Sequence, residues 1–329
     1  MTPTPTFPAD HFPAAAFIKE IGRGKKGARS MTRVDARTLY GAMLAGRVSD
    51  LELGGILLAM RIKGESVEEI AGFLDAAEAS FTPLPLPDGP FAPVLIPSYN
   101  GARKMANLTP LLALLLAREG VPVLVHGVSR DPGRVTTAEI FEAMGLAAAP
   151  DLAALALAHS RGQPTFIPIE VLAPAMHRLL ALRRVLGVRN STHTLVKILQ
   201  PYAGPALRLV SYTHPEYLEM LADYFVNAAP GGRGDAFLMR GTEGETVANA
   251  NRANQIDWFH DGQRELLVPR DAPTDLLAAA PAARDAAATA AWIAAALRGD
   301  APVPPSIVQQ VEQCVKAARR LGAATVKLA

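Results

Sequence analysis

The chain has 329 residues, half of them hydrophobic, with 33 lysines and arginines against 31 aspartates and glutamates. That composition excludes extended disorder and supplies enough apolar mass for one large domain or two unequal ones. A formal net charge of +2 excludes a polycation, so any attraction for a polyanion must come from where the charges lie.

The N-terminus, MTPTPTFPADHFPAAAF, has neither a basic start nor a long apolar stretch, so no export signal is expected. Residues 14–80 read as helical. Thr32 precedes a helix-forming run to about Gly46, Ser49 or Asp50 can cap a second over 51–63, and Ser66 with Glu69 makes a capping box for a third ending near Ala79. Six prolines fall between Pro83 and Pro97. Each fixes φ and removes a backbone donor, so this stretch reads as an extended connector and a domain boundary. Beyond it, short apolar runs at 94–96, 121–125, 165–169, 207–211 and 236–239 read as strands. They alternate with helical patterns at about 108–119, 136–144, 174–186 and 216–227, which is the signature of a parallel sheet covered by helices. The Ala-rich stretch 276–297, interrupted by Arg284 and Asp285, reads as a packed helix pair. The best apolar run, Leu111 to Ala117, is too short to span a bilayer. Cys314 is the only cysteine, which rules out an internal disulfide and a cysteine-built zinc site and fits a reducing compartment. The expected fold class is α/β: a small N-terminal α-helical domain over 1–82, a Pro-rich connector over 83–97, and a large α/β domain with a mainly parallel central sheet over 98–329.

Charge is segregated along the chain. Between Lys19 and Arg37 there are seven basic residues (Lys19, Arg23, Lys25, Lys26, Arg29, Arg33, Arg37) against Glu20 and Asp35. From Gly89 to Arg118 there is no acidic residue, while Arg103 and Lys104 follow the first strand. From Val171 to Pro215 there is again none, while Arg178, Arg183, Arg184, Arg189, Lys197 and Arg208 lie there with His177, His193 and His214. Solvated helix faces explain any one such window. Three windows in a nearly neutral chain point instead to a basic groove that binds phosphate backbones with little sequence preference.

The segment 16–73, together with NLTP (107–110), VLVHG (123–127) and APAMHRLLALRRVLGVRN (173–190), resembles the anthranilate phosphoribosyltransferase family over roughly residues 14–325. The resemblance implies a small α-domain, usually the dimer contact, joined to a large α/β domain. The family's catalytic parts do not carry over. SYNGAR (98–103) stands where the family has a Gly-Thr-Gly-Gly-Asp turn for the diphosphate of phosphoribosyl pyrophosphate. Val125 replaces a lysine, Lys197 an asparagine and Gln200 a glycine. Thr246 and Val247 align with the acidic pair that holds magnesium, leaving Glu243 and Glu245 as imperfect substitutes. Arg183 matches the arginine that meets the carboxylate of anthranilate, with Arg184 and Arg189 beside it. SYNGARK and GKKGARSMT resemble most the YbiB-type branch, non-enzymatic homologues that bind nucleic acid without sequence specificity as homodimers.

Other residues admit two readings. His126 is a catalytic base or a hydrogen-bonded strand-end histidine. Glu243 and Glu245 are metal ligands or solvated loop carboxylates. Lys197 faces a cleft or lies on a helix surface. GRGKKGAR lacks a following Gly-Lys-Ser/Thr and a preceding strand, so it is no nucleotide-triphosphate loop. Tyr99 and Tyr202 are the candidate stacking platforms for single strands. The expectation is a cytoplasmic homodimer that binds DNA, with RNA open, through Lys25, Lys26, Arg29, Arg103, Lys104, Arg178, Arg183, Arg184, Arg189 and Lys197, with no cofactor, metal, membrane or catalytic residue. The alternatives are a phosphoribosyltransferase using magnesium and a scaffold for protein partners.

Overall fold

Three serine and threonine side chains start the N-terminal helices as the sequence anticipates. The computed structural model describes residues 9–24, 26–251, 255–270, 281 and 283–326. In it, Ala15–Ile21 (α1) is followed by Arg33–Leu44 (α2), whose N-cap Thr32 accepts from the Asp35 N–H. Ser49 and Ser66 form full capping boxes with Glu52 and Glu69 at the heads of Asp50–Lys63 (α3) and Val67–Glu78 (α4). Glu69 is fully buried, because its carboxylate also receives the Met31 N–H and the Lys63 ammonium.

Then come Val94–Ser98 (β1), Thr109–Arg118 (α5), Val123–Gly127 (β2), Thr137–Ala143 (α6), Leu152–Ser160 (α7), Thr165–Pro168 (β3) and Ile169–Leu172 (α8). Pro174–Ala181 (α9), Arg183–Leu186 (α10) and Thr192–Leu195 (α11) precede Leu207–Tyr212 (β4), Pro215–Asp223 (α12) and Ala236–Arg240 (β5). Ile256–His260 (β6), Gln263–Val268 (β7), Ala286–Arg298 (α13) and Pro305–Val326 (α14) complete the described elements. The seven-stranded sheet runs β3-β2-β1-β4-β5-β6-β7. Its first five strands are parallel and β6 and β7 antiparallel. β1 and β2 are buried along their whole length, as strands covered on both faces must be. Val94, Ile96, Val123 and Val125 pack with Leu111, Leu112, Ile293 and Cys314 in one core, where burial pushes the Cys314 thiol up.

The chain divides into two compact units, 1–82 with 173–199 and 83–172 with 200–329. Three expectations need correction. Residues 173–199, placed with the α/β domain, cluster with the N-terminal helices: Arg178 Nη2 donates to the Leu44 carbonyl at 2.7 Å and Tyr40 Oη lies 2.9 Å from Thr192 Oγ1. The connector ends sooner than 97, because β1 begins at Val94 and takes Pro97 into the strand. The helix expected over 174–186 breaks at Leu182, where the Val185 N–H turns to the Leu182 carbonyl. The β6–β7 hairpin was not anticipated. In the stretch read as a helix pair, Asp285 caps α13, while 271–280 and 282 lie outside the described residues.

Candidate nucleic-acid interface

In the second unit, the loop after β1 is where the sheet presents free backbone N–H groups, a natural seat for an anion. Here the seat is taken by the protein's own carboxylates. Glu245 Oε1 accepts from the N–H groups of Asn100 (2.8 Å) and Gly101 (2.7 Å). Glu243 accepts from Arg103 (3.1 Å), Lys104 (2.8 Å) and Met105 (2.9 Å). Both glutamates come from the turn after β5, held at Gly244 by Asn100 Nδ2 and Ser211 Oγ, which donate to its carbonyl. Gly244 has φ +95, and a Cβ there would lie 2.4 Å from Asn100 Nδ2, so only glycine fits. Arg134 Nη1 ties the two turns by donating to the carbonyls of Gly101 (3.1 Å) and Glu243 (3.4 Å).

The reading of Glu243 and Glu245 as solvated loop carboxylates is therefore corrected. Glu245 is 1% exposed; its Oε1 and both oxygens of Glu243 accept from backbone donors, while Glu245 Oε2 is buried with no hydrogen-bond partner. Among the described residues no group of three His, Cys, Asp or Glu could hold a metal ion. Sequence reasoning missed these contacts, and Arg134 altogether, because partners some 140 residues apart leave no local signal. Arg103 and Lys104 give their N–H groups to Glu243 and expose their side chains. Tyr99 is hydrogen-bonded through Oη to His126 Nδ1 at 2.8 Å. His126 is 1% exposed and burial pushes it down to about 3, so it is a neutral strand-end group. Tyr202 is buried and offers no stacking surface to a strand.

In the first unit the basic segment is laid out by Asn190. Its Nδ2 donates to the Leu179 carbonyl at 2.8 Å and its Oδ1 accepts from the Thr192 N–H at 3.0 Å, which folds the chain back after Gly187. Gly187 closes α10 at φ +73, a left-handed position that favours glycine. Arg183 and Arg184 are exposed on α10 and have no ion-pair partner among the described residues. Arg189 and Lys197 are half-buried. His193 is pushed down to about 4, first by burial, then by the charge of Arg189 and, more weakly, of Arg183 and Lys197. The charges of three cations thus act on one imidazole, on a segment that holds no carboxylate of its own. Arg178 is exposed but spends part of its guanidinium on the last turn of α2. Lys26 and Arg29 are exposed, Arg29 Nη1 lying 3.8 Å from Glu20, and Lys25 lies outside the described residues.

Residues 15–80 match the helical bundle domain of a glycosyl transferase family. The chain is 48% identical over 303 residues to the uncharacterized protein YbiB of Escherichia coli K12, covering 91% of this chain and 92% of YbiB. It belongs to the anthranilate phosphoribosyltransferase-like family, on the YbiB-like branch. Within that family, the anthranilate phosphoribosyltransferase of Methylobacterium radiotolerans is 31% identical over 180 residues, 55% of this chain and 50% of the enzyme. The fold is that of the Thermus thermophilus enzyme, at a TM-score of 0.69, 24% identity and coverage of 93% of this chain and 89% of that one. The Saccharomyces cerevisiae enzyme in complex with PRPP and magnesium superposes at a TM-score of 0.68 with 14% identity, over 94% of this chain and 88% of that one. Among the described residues no helix is long and apolar enough to cross a membrane.

Proposed function

We propose that this protein is a cytoplasmic homodimer that binds nucleic acid through its phosphate backbone without sequence preference, on a phosphoribosyltransferase scaffold that no longer transfers phosphoribose. The observation that carries this reading is the gathering of Arg183, Arg189 and Lys197 around His193, with Arg184 exposed beside them and no carboxylate between 171 and 215. Such a surface binds by releasing counterions, so affinity falls steeply with salt and is indifferent to sequence. Arg178, Lys26, Arg29, Arg103 and Lys104 add exposed cations, and Lys25 is proposed with them from sequence alone.

Magnesium phosphoribosyl pyrophosphate does not fit the residues present. The five N–H donors of the 100–105 loop are bonded to Glu243 and Glu245, and the same carboxylates are the ones a magnesium ion would need. No transfer step is derived for this chain. The homodimer is supported by α3, where Leu51, Leu58 and Ile62 stand 89%, 42% and 66% exposed along one face. Gly54, on the same helix, would carry a Cβ into open space, so no contact within the chain accounts for a mid-helix glycine.

A gel-shift series across salt, with DNA and RNA in single- and double-stranded form, tests the reading. Binding that weakens as salt rises, alike on all sequences, is expected; salt-independent or strongly sequence-dependent binding overturns it. Pyrophosphate release from phosphoribosyl pyrophosphate with magnesium and a panel of aromatic amines and bases would restore the enzymatic reading.

A further inference from the structure

The sheet has a second, unassigned end. The glutamate-filled loop lies beyond the carboxyl ends of the parallel strands. A cavity of about 740 Å³ opens at their amino ends, among the start of β4, the 230–235 turn before β5 and the end of β6. That volume is within the ordinary range of small-molecule sites.

Two arginines and two aspartates line it, and both aspartates accept hydrogen bonds from Arg320 rather than from Arg208. Arg208, the second residue of β4, lines the cavity and is 3% exposed. Its guanidinium lies 5.2 Å from the centroid of the Phe225 ring. It makes one long hydrogen bond, Nη2 to the Gly234 carbonyl at 3.5 Å, while its Nε is buried and has no partner. The carboxylates nearby are already engaged. Asp235 accepts from Trp258 Nε1 (2.9 Å) and Arg320 Nη1 (3.1 Å), and Asp261 accepts from Arg320 Nη2. A buried guanidinium with so few of its donors satisfied is costly, and folded proteins avoid removing a charged group's solvent without supplying hydrogen-bond partners.

The walls are apolar and unusual in their backbone. Phe225 comes from a π-turn, Tyr224–Ala228, that extends α12, and such turns often mark ligand sites. Phe259 packs directly against it, 5.5 Å centroid to centroid, so the two rings form one apolar wall. At the mouth, Gly231 and Gly232 leave their Cβ positions in open space, and neither has the positive φ that would demand glycine.

We propose that this cavity binds a small organic anion, one carboxylate or phosphate group on an aromatic or aliphatic body. The anionic group pairs with the guanidinium of Arg208, and the body packs against the contiguous apolar surface of Phe225 and Phe259. Guanidinium forks match both headgroups, so the shared chemistry is the claim and the headgroup is decided by experiment. The site is independent of the nucleic-acid reading.

Titration of the full chain with benzoate and with phenyl phosphate, followed by Trp258 fluorescence and calorimetry, tests it. Saturable binding of at least one is expected, at least tenfold tighter than benzyl alcohol or inorganic phosphate. Arg208→Met should weaken it at least tenfold while the melting temperature stays at or above that of the wild type, since a buried unpaired charge is lost. Gly232→Phe, which leaves Arg208 untouched, should block the mouth with the same loss of binding. In both variants nucleic-acid affinity should remain within twofold of the wild type. Absence of saturation with both anions, equal binding of benzyl alcohol, or undiminished binding in both variants overturns the proposal.

Discussion

On the proposed reading, two segments of this protein meet negative charge, and they do so in opposite ways. The 98–105 loop offers backbone N–H groups, and two glutamates from the chain itself satisfy them. The 178–197 segment offers side chains, and the chain supplies it with no acidic residue of its own. Backbone donors are fixed in place, so an internal carboxylate holds them permanently and turns an anion seat into a structural clasp. On the segment laid out by Asn190 and Gly187, Arg183 and Arg184 expose their side chains to solvent. A scaffold shared with anthranilate phosphoribosyltransferases thus carries one loop whose donors are closed from within and, on the proposed reading, one basic segment left to an outside anion.

The largest effect that can break this contrast is at Glu245. Glu245→Ala strips the acceptor from two buried N–H groups, and charge-assisted bonds of this kind are worth about 1.5–3 kcal/mol each. A loss of about 3 kcal/mol in urea unfolding is expected, with nucleic-acid binding at 25 °C unchanged. Glu245→Gln, which keeps an acceptor, should lose less. If either variant changed nucleic-acid affinity as much as stability, the two segments would not be separate in function.

On the open segment, Arg183→Glu and Arg189→Glu should each weaken binding about tenfold on all sequences alike, close to 1.4 kcal/mol. Each neutralised contact also lowers the slope of log affinity against log salt by about 0.9 for duplex DNA. Arg178→Glu should have less effect, because its guanidinium already serves the end of α2. Binding measured by fluorescence anisotropy at two salt concentrations separates these outcomes.

Acid distinguishes the two ends of the argument as well. Folded His126 and His193 are held down, to about 3 and about 4, chiefly by burial. An unfolded histidine titrates near about 6.5. Between those values the unfolded chain binds more protons, so stability is full above about pH 6.5 and falls as pH drops toward 4 and then 3. The limiting slope is about 1.4 kcal/mol per pH unit for buried His126. Urea titrations at pH 7 and pH 5.5 should therefore differ by about 1 kcal/mol on account of His126, with a further share from His193, and His126→Asn should remove the His126 share and leave the rest.

Much of this architecture was legible in the sequence because its signals are local. Ser49, Ser66 and Thr136 each stand three residues before a glutamate, and all three are capping boxes. The five parallel strands lie where apolar runs end at helical patterns. The β6–β7 hairpin also had a local signal, Asp261-Gly262 between alternating segments, and both residues take the positive φ such a turn requires. That signal was passed over. What could not be read was pairing at long range. Nothing near Glu243 in sequence announces Arg103, and nothing in 173–199 distinguishes it from the α/β segments on either side. Arg208, counted among the basic residues of one window, is buried at the amino end of the sheet because strand position outweighs charge sign.

The smallest expected effect sharpens the contrast most, because it concerns the glycine-rich basic segment on which the sequence placed four of its seven clustered cations. Arg29 already lies 3.8 Å from Glu20 and is mostly solvated, and exposed pairs of this kind contribute little. Lys26 is exposed and stands on a short turn with glycines on either side of it, Gly24 and Gly27. A long exposed lysine or arginine loses side-chain rotamer freedom on binding, which offsets part of each phosphate contact. Lys26→Ala and Arg29→Ala should therefore cost about twofold each in affinity, yet each should still remove about 0.9 from the salt slope if its charge meets a phosphate. An unchanged slope would assign this segment to solubility and leave the cluster around His193 as the whole interface. A tenfold loss would move the interface toward α1 and make the 178–197 cluster the lesser part.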